Sequence, residues 1–226
     1  MGSRRRCEEL IREGRVTLNG KVVDRMGVRL DPRRDQVAVD GIPVNTTEPL
    51  RYFMLNKPAG YVSTLQDPQG RPTIRDILPQ GIRLFPVGRL DLDSRGLVLV
   101  TNDGHLANRI MHPRFGIDKG YVVVVEGKLD CYALRKLRSG VELEEGDTAP
   151  ARVRHLGGGE GLEVLEIVIH QGWKRQVRRM CRAVGLEVRD LVRNRIGPLT
   201  LSDLPEGSWR ELSSGEVEEL FRALGL

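Results

Sequence analysis

Gly88-Arg-Leu-Asp-Leu-Asp-Ser-Arg-Gly-Leu-Val-Leu-Val-Thr-Asn-Asp-Gly104 decides how this chain is read. Polar, glycine-rich residues run directly into an apolar strand, Leu97 to Val100, which stops at a turn signal, Asn102-Asp103-Gly104. The carboxylate of Asp91 is therefore presented on a loop beside Arg89, at the mouth of a rigid sheet. That is where a nucleophile or a base is mounted. Two plainer readings compete. Asp91, Asp93 and Gly96 fall at positions 1, 3 and 6 of an EF-hand-like calcium loop. Position 5, however, is Arg95, position 12 is Asn102 instead of a bidentate Glu, and a strand follows where a helix is needed. A structural turn with Asp91 capping backbone amides needs only one Asx or Gly and leaves Arg89 and Ser94 unexplained. Spacing alone leaves the turn open.

Outward from that loop, the chain has 226 residues, enough for one large domain or two small ones. Apolar residues make up 39% and charged residues 30%, an ordinary globular composition. No apolar run approaches the length of a membrane span and no signal peptide is visible, so the expectation is a cytoplasmic protein without membrane contact. Cys7, Cys131 and Cys181 are odd in number and widely spaced. With four scattered histidines they support neither a disulfide framework nor a zinc site. The net charge of +5 and pI near 9.4 suit a polyanionic partner. Residues 1–45 carry ten Lys/Arg against seven Asp/Glu, so much of the excess lies near the start. Aromatic residues are too few for a broad base-stacking platform. RNA is the expected partner, and a monomer the expected state.

Residues 3–14 read as a helix capped by Ser3 and stopped by Gly14, followed by a hairpin across Asn19-Gly20 and a short strand ending at Asp40-Gly41. A linker is expected over 46–50, then a strand from Tyr52 that Pro58 and Gly60 turn out of the sheet, leaving Lys57 at its end. Later elements are a short helix over His105 to Met111, a strand over Tyr121 to Glu126 buried on both faces, and a capped helix from Asp130 to Arg138. The strand Leu162 to His170 shifts its apolar phase, which predicts a β-bulge. A basic helix over Trp173 to Val184 packs through Val177, Met180, Cys181 and Val184. Arg189 to Thr200 returns as strand, and Ser213 with Glu216 forms a capping box. Strands and helices mix without regular βαβ units, which predicts an α+β fold on a largely antiparallel sheet.

Several blocks in this order resemble a known family. They are Asn56-Lys-Pro-x-Gly60, the Asp91 block, Lys119-Gly-Tyr121, Arg175-Gln-Val-Arg-Arg-Met-Cys181, Arg195-Ile-Gly-Pro-Leu199 and Trp209-Arg-Glu-Leu212. The chain is similar to the bacterial rRNA pseudouridine synthases, in the group that joins the A-type enzymes of the small ribosomal subunit to the B, E and F types of the large one. It leans towards the B type. Residues 1–45 resemble an S4 RNA-binding domain that lacks its usual opening helix, and 51–226 the synthase domain. The resemblance implies isomerisation of uridine to pseudouridine in ribosomal RNA, most readily 23S, with no cofactor or metal. Ribosome assembly intermediates are a further candidate partner.

By that resemblance Asp91 is the catalytic carboxylate, Arg178 its guanidinium partner and Tyr121 the active-site tyrosine. Ile196 covers the uracil, and Arg89 enters the space a flipped base leaves. Arg4, Arg5, Arg6 and Arg15 of the first module, and Lys174, Arg175 and Arg179 of the basic helix, are assigned to RNA binding with Arg89. For Arg178 the alternative is a phosphate contact, and for Tyr121 and Ile196 ordinary core. Two other functions stay open: a non-catalytic S4-type RNA-binding protein, and the same chemistry on 16S rRNA.

Overall fold

A computed structural model describes residues 4–31, 33–44 and 48–226, with the Arg4 side chain outside the description. The proposed cap Ser3, the Arg4 contact and residues 45–47 around the linker therefore lie outside the described residues. The chain divides into two compact units, Met1–Pro49 and Leu50–Leu226.

In the first unit, α1 (Arg4–Arg12) is followed by β1 (Val16–Leu18), β2 (Lys21–Val22), β3 (Val37–Val39) and β4 (Ile42–Pro43). They form an antiparallel sheet in the order β2-β1-β3-β4. Both tight turns carry two successive positive φ values, Asn19-Gly20 at 51° and 81° and Asp40-Gly41 at 51° and 78°. This is the primed turn that matches strand twist, and Asn-Gly and Asp-Gly are the pairs that adopt it most readily. Among the described residues of this unit only Leu10 is a buried apolar side chain. An apolar groove of about 290 Å³ remains open, lined by residues such as Ile11, Val16, Val37, Val39 and Val44.

The second unit holds β5 (Tyr52–Lys57), β6 (Phe85–Val87), β7 (Arg95–Thr101), α2 (Gly104–Met111), β8 (Lys119–Glu126) and α3 (Cys131–Ser139). It continues with a small β9/β10 hairpin (Glu142–Leu143, Gly146–Asp147), β11 (Arg152–Gly159), β12 (Leu162–Ile169) and α4 (Gln176–Ala183). β13 (Glu187–Ile196), β14 (Leu199–Thr200), β15 (Trp209–Glu211) and α5 (Ser214–Ala223) complete it. One mixed sheet runs β11-β12-β8-β13-β7-β5-β15, with β6 added to β7 and β14 to β13. Among the strands described, only β13 and β7 pair in parallel. The fold is α+β.

Both faces of this sheet are covered. Val98 and Val100 of β7 enter one core with Tyr121, Val123, Leu137 of α3 and Met180 of α4. Leu97 and Leu99 enter the other with Ile110 of α2 and Leu220 of α5. Continuous apolar runs are what a doubly covered strand requires. Asp103 starts α2 by accepting from the His105 and Leu106 amides, and the Ser213–Glu216 capping box starts α5.

Three expectations need correction. The basic helix begins at Gln176, not Trp173. Arg175 sits in the left-handed region at φ 52°, and the Gln176 side chain accepts from the Trp173 amide, so 173–175 form a turn. The β-bulge lies on β11, where register shifts between His155 and Gly157, while β12 pairs regularly with β8. Strand β8 is fully buried on one face, through Tyr121, Val123 and Val125, but Val122 and Val124 are only half-buried.

Candidate active site

The loop between β6 and β7 carries Asp91, and its neighbours clamp it from several sides. Buried Leu90 exchanges two hydrogen bonds with Ser63: its amide donates to the hydroxyl at 3.1 Å, and its carbonyl accepts from that hydroxyl at 2.8 Å. The Gly60 amide donates to the Leu92 carbonyl at 2.8 Å, and the Ser94 amide to the Asp91 carbonyl at 3.1 Å. Beneath the loop, the fully buried Lys57 ammonium donates to the carbonyls of Ser94 (2.7 Å) and Pro58 (2.9 Å). Asp91 itself is half-buried and held on a fixed backbone.

Helix α4 and the turn before it deliver two guanidinium groups to this loop. Arg175 grips Asp93 with two bonds of 3.0 Å and stands 3.8 Å from the Asp91 carboxylate. Arg178 donates to the Asp93 carbonyl (2.9 Å) and the Ser94 hydroxyl (3.2 Å), and lies 3.5 Å from the Asp93 carboxylate. The Arg175 fork holds the Asp93 carboxyl below the usual range against the opposing effect of burial. Burial pushes Lys57 down to about 8, opposed by the Asp91 and Asp93 carboxylates and reinforced by Arg193.

The site residues expected from the sequence are distributed as follows. Arg178 reaches the Asp91 loop, but its partners there are Asp93 and Ser94, with the Val188 carbonyl accepting from Nη1 at 3.4 Å; no Arg178–Asp91 ion pair forms within 4.0 Å. Arg175, expected on RNA, is the arginine nearest Asp91. Arg179 is tied to Glu145 by bonds of 2.7 and 2.8 Å, and Arg15 to Asp40 and Glu13, so neither is free in this structure to meet a phosphate. Arg6 pairs with Glu9 and Glu13. Arg5, Arg89 and Lys174 are exposed. Tyr121 is buried at the β8 position facing the core that contains Leu90 and Val177. Ile196 does not line the site: it is 1% exposed in the other core, with Ile117, Leu199 and Leu220. Leu191 enters the core that holds Tyr121, and Ile196, five residues further along β13, enters the opposite one, as the alternation of a strand would place it.

Sequence reasoning did not assign Arg193, Asp93 or Gln176 to the site. Arg193 had a signal, since it stands two residues after Leu191 and so shares its core-facing side of β13. Among the described residues no group of three or more His, Cys, Asp or Glu is placed to hold a metal ion. No helix there is long and apolar enough to cross a membrane.

A mixed sheet with a carboxylate on a clamped loop and a basic helix beside it matches one family closely. The RNA pseudouridylate synthase family model matches residues 51–183, and the S4 domain model matches residues 1–37. The chain is 46% identical over 230 residues to an uncharacterized RNA pseudouridine synthase of Aquifex aeolicus, covering 100% of this chain and 91% of that protein. It is also 46% identical to the ribosomal large subunit pseudouridine synthase B of Bacillus subtilis, over 99% of this chain and 92% of the other. A crystal structure of a pseudouridylate synthase superposes with a TM-score of 0.71 at 31% identity, covering 96% of this chain and 94% of that one. The chain belongs to the RNA pseudouridylate synthase family, with an S4 domain at its N-terminus.

Proposed function

We propose that this protein converts uridine to pseudouridine at defined positions of ribosomal RNA, in the large subunit, with Asp91 as the catalytic carboxylate. The observation that carries the reading is the clamped Asp91 loop, with Arg175 and Arg178 brought to it by the turn before α4 and by α4 itself. Large-subunit specificity is supported by the name of the Bacillus subtilis relative.

The reaction breaks the N1–C1′ bond of a uridine, turns the base and rejoins it through C5, whose proton then leaves. No atom is gained or lost and no electron is exchanged with a cofactor. A flipped nucleotide closes the site and removes water from Asp91, which disfavours the charged carboxylate. Arginines that stay protonated at every working pH oppose this. Arg175 acts directly across 3.8 Å, while Arg178 holds the loop through Asp93 and Ser94. Tyr121 offers its ring to the base. Arg89, exposed on the loop beside Asp91, occupies the gap left in the RNA. Arg5 and Lys174, exposed as well, are suited to phosphate contacts.

The test is to incubate the protein with 16S and 23S rRNA and map pseudouridines, with Asp91→Ala alongside. Formation at a 23S site is expected, lost by roughly 10²–10⁴-fold or more in Asp91→Ala while RNA affinity is nearly unchanged. Residual turnover within about tenfold of wild type, well short of the general acid–base range, would remove Asp91 from the chemistry. Product confined to 16S rRNA would move the substrate to the small subunit.

A further inference from the structure

One row of residues crosses the sheet beneath the Asp91 loop. Register pairs Lys57 of β5 with Gly96 of β7, Gly96 with Arg193 of β13, and Arg193 with Tyr121 of β8. Directly paired residues point to the same face, so Lys57, Arg193 and Tyr121 share the face that carries Leu90 and Val177. Gly96 contributes no side chain, and none would fit. A Cβ there would lie 2.3 Å from the Arg193 carbonyl oxygen and 2.8 Å from its amide nitrogen. The gap lets the cationic chains of Lys57 and Arg193 converge from either side.

Arg193 is 3% exposed. Its Nε donates to the Leu97 carbonyl at 2.8 Å. Its Nη2 is fully buried and has no hydrogen-bond partner. A buried guanidinium left partly unsatisfied costs free energy that a merely structural arginine would avoid by completing its bonds. A staple from β13 to β7 needs the Nε bond alone and does not account for the idle end of the fork. Arg193 also lies close enough to two lysines, the buried Lys57 and the half-buried Lys119, to help lower both. The floor of the site thus concentrates positive charge and holds a donor without an acceptor.

We propose that Arg193 binds the uracil base of the target nucleotide, its Nη atoms donating to a ring carbonyl and stabilising the negative charge the base acquires when it leaves the sugar. This rests on the synthase reading above. Arg193 pairs in register with Tyr121, so a base lying against the tyrosine ring presents its edge to the unpartnered end of the fork. When the N1–C1′ bond breaks, its electron pair goes with the base and spreads over N1 and the ring carbonyls. Electrons return through C5 as the C5–C1′ bond forms, and the C5 proton is then released. A fixed cationic donor aimed at the carbonyl helps most while that charge exists.

The experiment compares wild type with Arg193→Met and Arg193→Lys in single-turnover glycosidic cleavage, on RNA carrying uridine or 5-fluorouridine at the mapped site. RNA affinity and thermal unfolding are measured alongside. Fluorine makes the departing base more acidic, so it needs less help. Arg193→Met is expected to slow uridine cleavage by roughly 10²–10³-fold, as removal of an oxyanion donor does. The same variant should slow the 5-fluorouridine substrate by at least about tenfold less, since part of that stabilisation is then supplied by the base. Arg193→Lys, which keeps the charge and the volume but not the fork, should fold and fall between. Equal losses on both substrates would overturn the proposal, as would weaker RNA binding with an unchanged bound rate, or Arg193→Lys turning over like wild type. Wild-type protein that modifies no rRNA would instead remove the functional reading itself.

Discussion

Among the described residues of the first unit one apolar side chain, Leu10, is buried, and an open groove runs along the sheet; in the second, apolar side chains close two cores on opposite faces of one sheet. The difference suits the work proposed for each. Attraction of phosphates depends on charge within a Debye length and tolerates loose geometry. Placing a carboxylate against one sugar carbon does not, since a displacement of about 1 Å can cost 10²-fold. The Asp91 loop is accordingly fixed by Ser63, Gly60 and Lys57, all of the densely packed unit.

The same substitution in each unit should expose that contrast most strongly. Gly96→Ala forces a Cβ into the Arg193 backbone at φ 110°, where neither strand can yield. A loss of about 4 kcal/mol or more is expected for the second unit, with activity lost alongside. Gly20→Ala meets nothing within 4 Å and carries only the strain of φ 81°; its cost should be about 1 kcal/mol, confined to the first unit. Urea unfolding with hydrogen exchange resolved by segment reads both. Similar costs for the two would mean that β13 and β7 are free to move apart at Gly96.

A smaller effect separates the units by pH. Lys57 releases its proton near 8 in the folded protein, against an ordinary value of 10.5. Between these values the unfolded chain binds more protons than the native one, so stability rises with pH across the window. Below about 8 the penalty of the buried charge is present in full. Relative to Lys57→Met, wild type should therefore gain stability from pH 8 to 10.5, by at most about 1.4 kcal/mol per unit. In the first unit the shifts favour the charged forms instead, Arg15 up and Asp35 and Asp40 down, all away from this window. A flat difference between wild type and Lys57→Met would show that Lys57 stays charged by drawing on Asp91 and Asp93 more strongly than burial opposes it.

Much of this arrangement was legible in the sequence because local chemistry controls it. The Asn19-Gly20 and Asp40-Gly41 turns, the Asp130 and Ser213 caps and the Asp91 loop before an apolar strand are each set by a few neighbouring residues. What failed depends on long-range packing. The exclusion of Trp173 to Arg175 from α4 comes from a left-handed Arg175 whose side chain is held by Asp93, 82 residues away. Strands β6 and β15 exist because β7 and β5 offer them edges. Arg178 meets Asp93 and Ser94 while Arg175, in the turn before α4, stands nearest Asp91, an order that depends on the left-handed turn and not on the spacing within the basic segment.

The smallest effect concerns the charge of the first unit. Removing residues 1–49 should leave the second unit folded, because its two cores draw on no residue before Tyr52. The ten Lys/Arg of residues 1–45 overstate what the RNA loses. Arg15 is engaged by Asp40 and Glu13, and Arg6 by Glu9 and Glu13, so their charge is already largely compensated. Two or three phosphate contacts from the remaining cations, Arg5 among them, are a reasonable loss. Each contact lowers the slope of log affinity against log salt by about 0.7 to 0.9, so the slope should flatten by roughly 2. Measured from about 50 to 200 mM salt, a change of that size is a few-fold to some tens-fold in affinity, larger at the low-salt end. A short stem-loop bearing the target uridine should still be modified, since the Asp91 loop and α4 are intact. Parallel salt plots with equal affinity would mean that this unit carries no phosphate contact, and that RNA is held by the synthase unit alone.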